Sequence, residues 1–143
     1  VKSALRGRLA ERLAAWYLCR HGLSRLEKNF HSTWGEIDIV MLDKRSRIRT
    51  DSEPAFDNWR AEDTLHAEGG ILVFVEVRFR SNHTFGSAEE TVDWRKQEKI
   101  RRTALVYLAK HNEYMNLPVR FDVVAVTQRN YRPKIMWIRD AFQ

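Results

Sequence analysis

The sequence predicts an α/β domain, a central mixed β-sheet flanked by two main helices. Three observations carry that prediction. Two long segments, from about Ser3 to Arg20 and from Glu89 or Asp93 to about His111, repeat apolar residues at helical spacing. Ile71-Leu72-Val73-Phe74-Val75 is a continuous apolar run, the pattern of a central strand covered on both faces. Shorter β-prone runs lie on either side of it, so the chain reads α-β-β-β-α-β-β.

In the first helix the apolar positions are Leu5, Leu9, Leu13, Trp16 and Tyr17, and Gly22 is its stop. Leu26 to His31 forms a short strand, Ser32-Thr33 a turn, and Trp34 to Leu42 a second strand, together an antiparallel hairpin. Asp43 to Gly70 is polar and aperiodic, with five basic and seven acidic residues. It reads as an insertion into a single domain spanning residues 1–143, expected to be poorly ordered apart from a helical turn near Asn58 to Leu65. The central strand continues through Glu76-Val77-Arg78-Phe79-Arg80, and a loop over Ser81 to Ser87 follows with Phe85-Gly86 in it. The second helix has an apolar face of Trp94, Ile100, Ala104, Tyr107 and Leu108. Pro118 opens a strand from Val119 to Thr127, and a last short strand, Ile135 to Ile138, leads into an Ala141-Phe142 tail.

Bulk properties narrow the function. The chain has 143 residues, 43% hydrophobic and 31% charged, which is a globular composition long enough to bury a core. Its net charge of +6 favours a polyanionic partner without naming one. A single cysteine, Cys19, excludes an internal disulfide and reads as a small core or half-buried side chain. The five histidines show no zinc-ligand spacing. No segment is apolar enough to span a bilayer, and Val1 to Arg8 lack the apolar core of a secretory signal behind them. A cytoplasmic setting is the expectation.

The chemistry concentrates in two strand segments. Side chains alternate faces along a strand, so Glu36 and Asp38 share one face in Gly35-Glu36-Ile37-Asp38, and Glu76 and Arg78 share one in Phe74-Val75-Glu76-Val77-Arg78. If the strands are neighbours, three carboxylates and a guanidinium converge. Buried acids need a partner, and a hard cation is the simplest one. Asp38 and Glu76 can then hold Mg²⁺ or Mn²⁺ and serve phosphodiester hydrolysis. The competing reading is a set of ion pairs, Glu76 with Arg78 and Glu36 beside them. An arginine keeps its proton, so Arg78 cannot act as a base, though it can grip a phosphate.

Three further groups are candidates. Glu11 has Gly7, Ala14 and Ala15 around it on the helix, so it either points into a tight space beside the sheet or pairs in solvent with Arg8 or Arg12. Lys96 lies at i−4 from Ile100, on the core-facing edge of the second helix, and either reaches a phosphate or simply solvates the helix end. Arg95, Lys99 and Arg102 form a basic stripe, joined by Arg101, suited to tracking a nucleic-acid backbone. Arg120 and Asp122 share a face and read as a structural ion pair. The tryptophans and phenylalanines read mainly as core, with Trp34 and Phe85 the ones placed to be exposed near the site.

Gly7 and Glu11, Gly35-Glu36-Ile37-Asp38, Phe74-Val75-Glu76-Val77-Arg78-Phe79-Arg80, Phe85-Gly86, Lys96-Gln97, Arg120-Phe121-Asp122-Val123-Val124 and Trp137-Ile138-Arg139-Asp140-Ala141-Phe142 together resemble the YraN-like family of bacterial proteins. The match runs in order along nearly the whole chain outside the 43–70 insertion. That family is similar to archaeal Holliday-junction resolvases and is placed with the restriction-endonuclease-like, PD-(D/E)XK nuclease superfamily. The resemblance implies an αβββαβ core. It carries the superfamily's metal-binding Asp onto Asp38, the motif Glu onto Glu76, the motif Lys onto Arg78 and the resolvase-branch helix acid onto Glu11. The Lys-to-Arg departure bears on catalysis and not on fold.

The implied activity is a Mg²⁺- or Mn²⁺-dependent endonuclease acting on DNA, with branched DNA one candidate substrate. Its rivals are a catalytically inactive nucleic-acid-binding module of the same fold and a scaffold whose charge only solubilises. Junction resolution needs two sites related by two-fold symmetry, so a homodimer is expected in that version.

Overall fold

The computed structural model describes residues 2–44, 69–80, 92–129 and 131–143. The elements run α1 (Lys2–Arg20), β1 (Leu23–Ser32), β2 (Gly35–Asp43), β3 (Ile71–Arg80), α2 (Trp94–Lys110), a 3₁₀ turn (Asn112–Tyr114), β4 (Val119–Arg129) and β5 (Arg132–Phe142). Readings that fall on 45–68 and 81–91, among them the helical turn near Asn58 and the Phe85-Gly86 loop, lie outside the described residues.

The five strands form one sheet in the order β1-β2-β3-β4-β5. Pairing is antiparallel except between β3 and β4, where Leu72 meets Val119 and Arg80 meets Thr127 in parallel. A parallel pair cannot be closed by a hairpin, and α2 lies in the crossover that joins these two strands. The sheet is therefore mixed, and the class is α/β. Among the described residues no helix is long and apolar enough to cross a membrane.

Strand alternation sorts the core into two layers. On one face Ile39, Met41, Val73, Val75, Val124 and Val126 pack against Ala10, Ala14, Ala15 and Leu18 of α1. On the other, Val40, Leu72, Phe74 and Val123 pack against Ile100, Ala104 and Tyr107 of α2. Tyr107 is the hub of the second layer, edge-on to Phe30 at 5.0 Å and to Phe74 at 5.6 Å. Each large side chain buried this way contributes about 1.5–3 kcal/mol.

The helix faces differ from expectation. Leu5, Leu9 and Trp16 are 59%, 48% and 59% exposed, and the buried face of α1 is the alanine-rich row one residue round. Alanines let the helix axis approach the sheet closely, and the larger residues are left on the flank. Trp94, expected on the apolar face of α2, is 70% exposed, because Asp93 before it is the N-cap and the helix buries side chains only from Ile100 onward. Trp34 is exposed as expected, and with Trp16 and Trp94 it puts most tryptophans among the described residues on the surface rather than in the core. Cys19 is exposed rather than half-buried.

β5 is longer than the Ile135–Ile138 expected and includes Ala141 and Phe142. A bulge opposite Phe121 and Val123, with Asp140 at φ 50°, bends the strand so that Phe142 stacks on Phe121 at 5.0 Å. The bend is fixed by Asp122, which is fully buried. Its carboxylate accepts from Arg120 Nε at 2.8 Å and Nη2 at 2.9 Å, from Trp137 Nε1 at 2.9 Å and from the Asp140 amide at 3.0 Å. Arg120 Nη1 also donates to buried Asp43 at 3.2 Å. Burial works against the Arg120 charge, but its two carboxylate partners hold it raised on balance. The Arg120–Asp122 ion pair is thus structural, as its shared face suggested.

Candidate active site

The β2–β3 ladder stops where the acids begin. Its last described rung toward the start of β2 joins Ile39 to Val75, so the next positions are Asp38 and Glu76. There the backbone pairing is replaced by a side chain: the Val77 amide donates to Asp38 Oδ2 at 2.7 Å. On the other side of β2, Lys28 pairs with Ile39 and Phe30 with Ile37, with Asn29 between them in the left-handed region at φ 52°. Asp38 thus lies opposite a left-handed residue of β1 and at the end of the β2–β3 ladder, away from the β1 bulge between Arg25 and Glu27.

Asp38 is 9% exposed, and its carboxyl is pushed up to about 7. Burial is the main cause, followed by the charge of Glu76 and, more weakly, of Glu11; the Val77 amide and Lys96 oppose the shift. Glu76 is raised as well, chiefly by burial, with Lys96 and then Arg78 opposing it and Glu36 adding to it. Burial therefore favours the protonated form of both acids, and the charge of Glu76 adds to that effect on Asp38.

Lys96 is the counter-charge within reach. Its Nζ lies 3.5 Å from Glu76 Oε2, close enough for attraction and too long for a good hydrogen bond. That oxygen is buried and, among the described residues, accepts no hydrogen bond. Lys96 is set in the first turn of α2 by Asp93, whose Oδ1 accepts from the amides of Arg95 at 2.9 Å and Lys96 at 3.0 Å. Gln97 ties the same turn down by donating to the Val92 carbonyl at 2.7 Å.

The remaining candidates are placed as follows. Glu11, half-buried on α1, is near enough for its charge to act on Asp38. Gly7 beside it has no heavy atom within 4 Å of where a Cβ would stand, so the tight packing expected around Glu11 comes from Ala14 and Ala15 alone. Arg78 is half-buried and lowers Glu76 through its charge. Glu36 stands at the rim: its side chain is 54% exposed and lies 3.5 Å from His31, yet its charge still acts on Glu76. The convergence is thus two buried carboxylates and an ammonium, with Glu11, Glu36 and Arg78 within electrostatic range.

Among the described residues no three His, Cys, Asp or Glu side chains are grouped to hold a metal ion. The Asp38–Glu76 pair still suits Mg²⁺, which keeps several waters and takes one or two carboxylates from a protein. The orphaned Glu76 Oε2 and the mutual repulsion of the two acids are what a cation would relieve.

Arg95, Lys99 and Arg102 are all exposed on α2. Arg101 departs from that surface, held to Gln97 Oε1 at 3.1 Å and near Glu98 at 3.7 Å. Two features escape sequence reasoning. The Val77 amide bond to Asp38 involves only backbone at one end and leaves no sequence signal. The packing of α2 on the β1–β2 turn leaves a faint one in Gly35, at φ 154°, where an added Cβ would stand 3.6 Å from Lys99 Cβ and 3.7 Å from Thr103 Oγ1.

The model of a family described as uncharacterised protein family UPF0102 matches residues 10–126. Similar chains include a UPF0102 protein of Stutzerimonas stutzeri strain A1501, 38% identical over 137 residues that cover 96% of this chain and 93% of the relative. One from Nitrosococcus oceani is 35% identical over 138 residues, covering 96% and 91%. One from Saccharophagus degradans is 38% identical over 136 residues, covering 95% and 91%.

Proposed function

The chain belongs to the UPF0102 family, and on that premise we propose that it is a metal-dependent endonuclease that hydrolyses DNA phosphodiester bonds. One observation carries the reading: two buried, mutually repelling carboxylates, one with an unsatisfied oxygen, lie beside a lysine in a protein of net charge +6. The order α1-β1-β2-β3-α2-β4 supports a restriction-endonuclease-like αβββαβ core, and the resemblance to the PD-(D/E)XK superfamily and to junction resolvases points the same way.

Asp38 and Glu76 would hold Mg²⁺ or Mn²⁺, which when bound polarises the phosphate and makes a nucleophile of water at neutral pH. The Val77 amide fixes the Asp38 carboxylate against β3, on the strand that carries Glu76. Lys96 and Arg78 carry the positive charge that meets the scissile phosphate and its growing negative charge. Arg78 is no base, because an arginine does not release its proton. Glu11 adds a third negative charge facing Asp38. Branched DNA, and with it a dimer bearing two sites, is the sharpest version.

The test is incubation of the protein with Mg²⁺ or Mn²⁺ and linear, nicked and four-way DNA beside an Asp38→Ala control. Cleavage by the wild type alone is expected, and equal products from both would refute the proposal. A second reading, a binding module without the reaction, is favoured by Arg78 standing where the superfamily has Lys. It predicts DNA binding unaffected by metal, with Glu76→Gln binding as tightly as wild type.

A further inference from the structure

Trp34 sits in the tight turn between β1 and β2 and is 49% exposed. The turn is rigidly mounted. The Trp34 amide donates to Ser32 Oγ at 3.1 Å, and Ser32 Oγ lies 3.0 Å from Thr103 Oγ1 on α2. Thr103 in turn donates to the Lys99 carbonyl at 2.8 Å. Over the indole stands the Arg102 guanidinium, 4.5 Å from the ring centroid, itself held by Glu98 at 2.9 Å.

The same helix connects this turn to the acids. Lys96 is beside Glu76, Lys99 packs against Gly35, and Arg102 covers Trp34. From Lys96 to Arg102 the helix rises about 9 Å, which is two to three nucleotide steps at ~3.4 Å per step along one strand. The Arg102 guanidinium gives the indole one cation–π contact, and half of the residue is still open to solvent. An aromatic face with basic residues beside it is what a stacked base and its backbone require.

We propose that Trp34, with Arg102 beside it, is a stacking platform for an unpaired base, so that the preferred substrate is DNA with a nucleotide out of its duplex close to the cut phosphate. The inference rests on the nuclease reading of the Asp38–Glu76 site and names its substrate class. Fully paired duplex would contact the Lys99 and Arg102 charges and leave the indole unused.

Fluorescence anisotropy in EDTA separates binding from cleavage. Three labelled DNAs serve: a blunt duplex, the same duplex with a short single-stranded tail, and the tail strand alone. The wild type is expected to bind the tailed duplex about ten-fold more tightly than the blunt one. Trp34→Ala should lose about ten-fold on the tailed duplex and less than about two-fold on the blunt one, while Trp34→Phe keeps the preference. Because Trp34 is a surface side chain, circular dichroism of Trp34→Ala should match wild type. An unchanged tailed-to-blunt ratio in Trp34→Ala, or no preference in the wild type, overturns the platform. If Trp34-dependent binding is present but Mg²⁺ and Mn²⁺ give no cleavage, the platform stands and the nuclease reading falls. If tailed DNA is cut equally fast by wild type and Trp34→Ala, the nuclease stands and the platform falls. Absence of binding to all three DNAs at low salt overturns both and leaves a protein partner for this face.

Discussion

Replacing Asp38 by Asn tests the charge strain directly. Asparagine keeps an oxygen to accept the Val77 amide at the 2.7 Å position and removes the charge that burial and Glu76 oppose. The folded protein holds the Asp38 proton up to about pH 7, whereas the unfolded chain releases it near 3.8. Stability from this group is therefore fully present below the unfolded value and is lost as pH rises through about 7. At about pH 8 the loss reaches roughly 4 kcal/mol, against under about 1 kcal/mol near pH 4. Asp38→Asn should thus raise the apoprotein's unfolding free energy by up to about 4 kcal/mol at the higher pH and by little at the lower one. Urea denaturation in EDTA across that range reads the difference. Added Mg²⁺ should then stabilise the wild type and not the variant, since a ligand stabilises only the state that binds it. A variant that is equal to or weaker than wild type near pH 8 would refute the account of two acids in conflict.

Three other outcomes follow. Asp122→Ala strips Arg120, Trp137 and the Asp140 amide of their shared acceptor and should cost about 3–5 kcal/mol in urea unfolding, as loss of one partner of a buried pair does; a cost under about 1 kcal/mol would mean the network contributes only geometry. Asp93→Ala removes the N-cap that bonds the Arg95 and Lys96 amides and should lower stability by about 1 kcal/mol, with cleavage falling by more than that because Lys96 loses its placement; unchanged cleavage would free Lys96 from any role. Changing Lys99 or Arg95 to Gln should weaken binding to blunt and tailed DNA alike and reduce the slope of log affinity against log salt by about 0.9 for each phosphate no longer neutralised, and an unaltered slope would remove the stripe from the interface.

The element order was legible because its signals are periodic and strong. Ile71 to Val75 is apolar at every position, and it becomes the strand covered by α1 on one face and α2 on the other. The alternation in Glu76-Val77-Arg78 and the Lys96–Ile100 spacing brought Glu76 and Lys96 into view together, and they stand 3.5 Å apart. The buried face of α1 was not legible, because Ala10, Ala14 and Ala15 carry little hydrophobic signal and act by letting two backbones come close. Leu5, Leu9 and Trp16 outweigh them in any count of apolar residues and lie outside the packed face. Glu36 and Asp38 share a strand face on paper, yet Glu36, next to the turn, is exposed beside His31, while Asp38, one residue pair further in, is buried and bonded to the Val77 amide. The full length of the C-terminal strand is hidden for a related reason: a bulge breaks the alternation that marks a strand, and β5 has one opposite Phe121 and Val123.

The sheet has one parallel seam, and it runs through its middle. β1 with β2 and β4 with β5 each join residues that are close along the chain, whereas Leu72 must find Val119. Closing so wide a gap costs roughly 2 kcal/mol more in chain entropy than zipping the β4–β5 ribbon. On that count the outer ribbons assemble early and the β3–β4 junction governs the folding rate. Glu76 sits on that junction, opposite Val123, and Lys96 belongs to the helix that spans it, so the acids can meet across β2–β3 first, and the lysine takes its place beside them as the last seam closes.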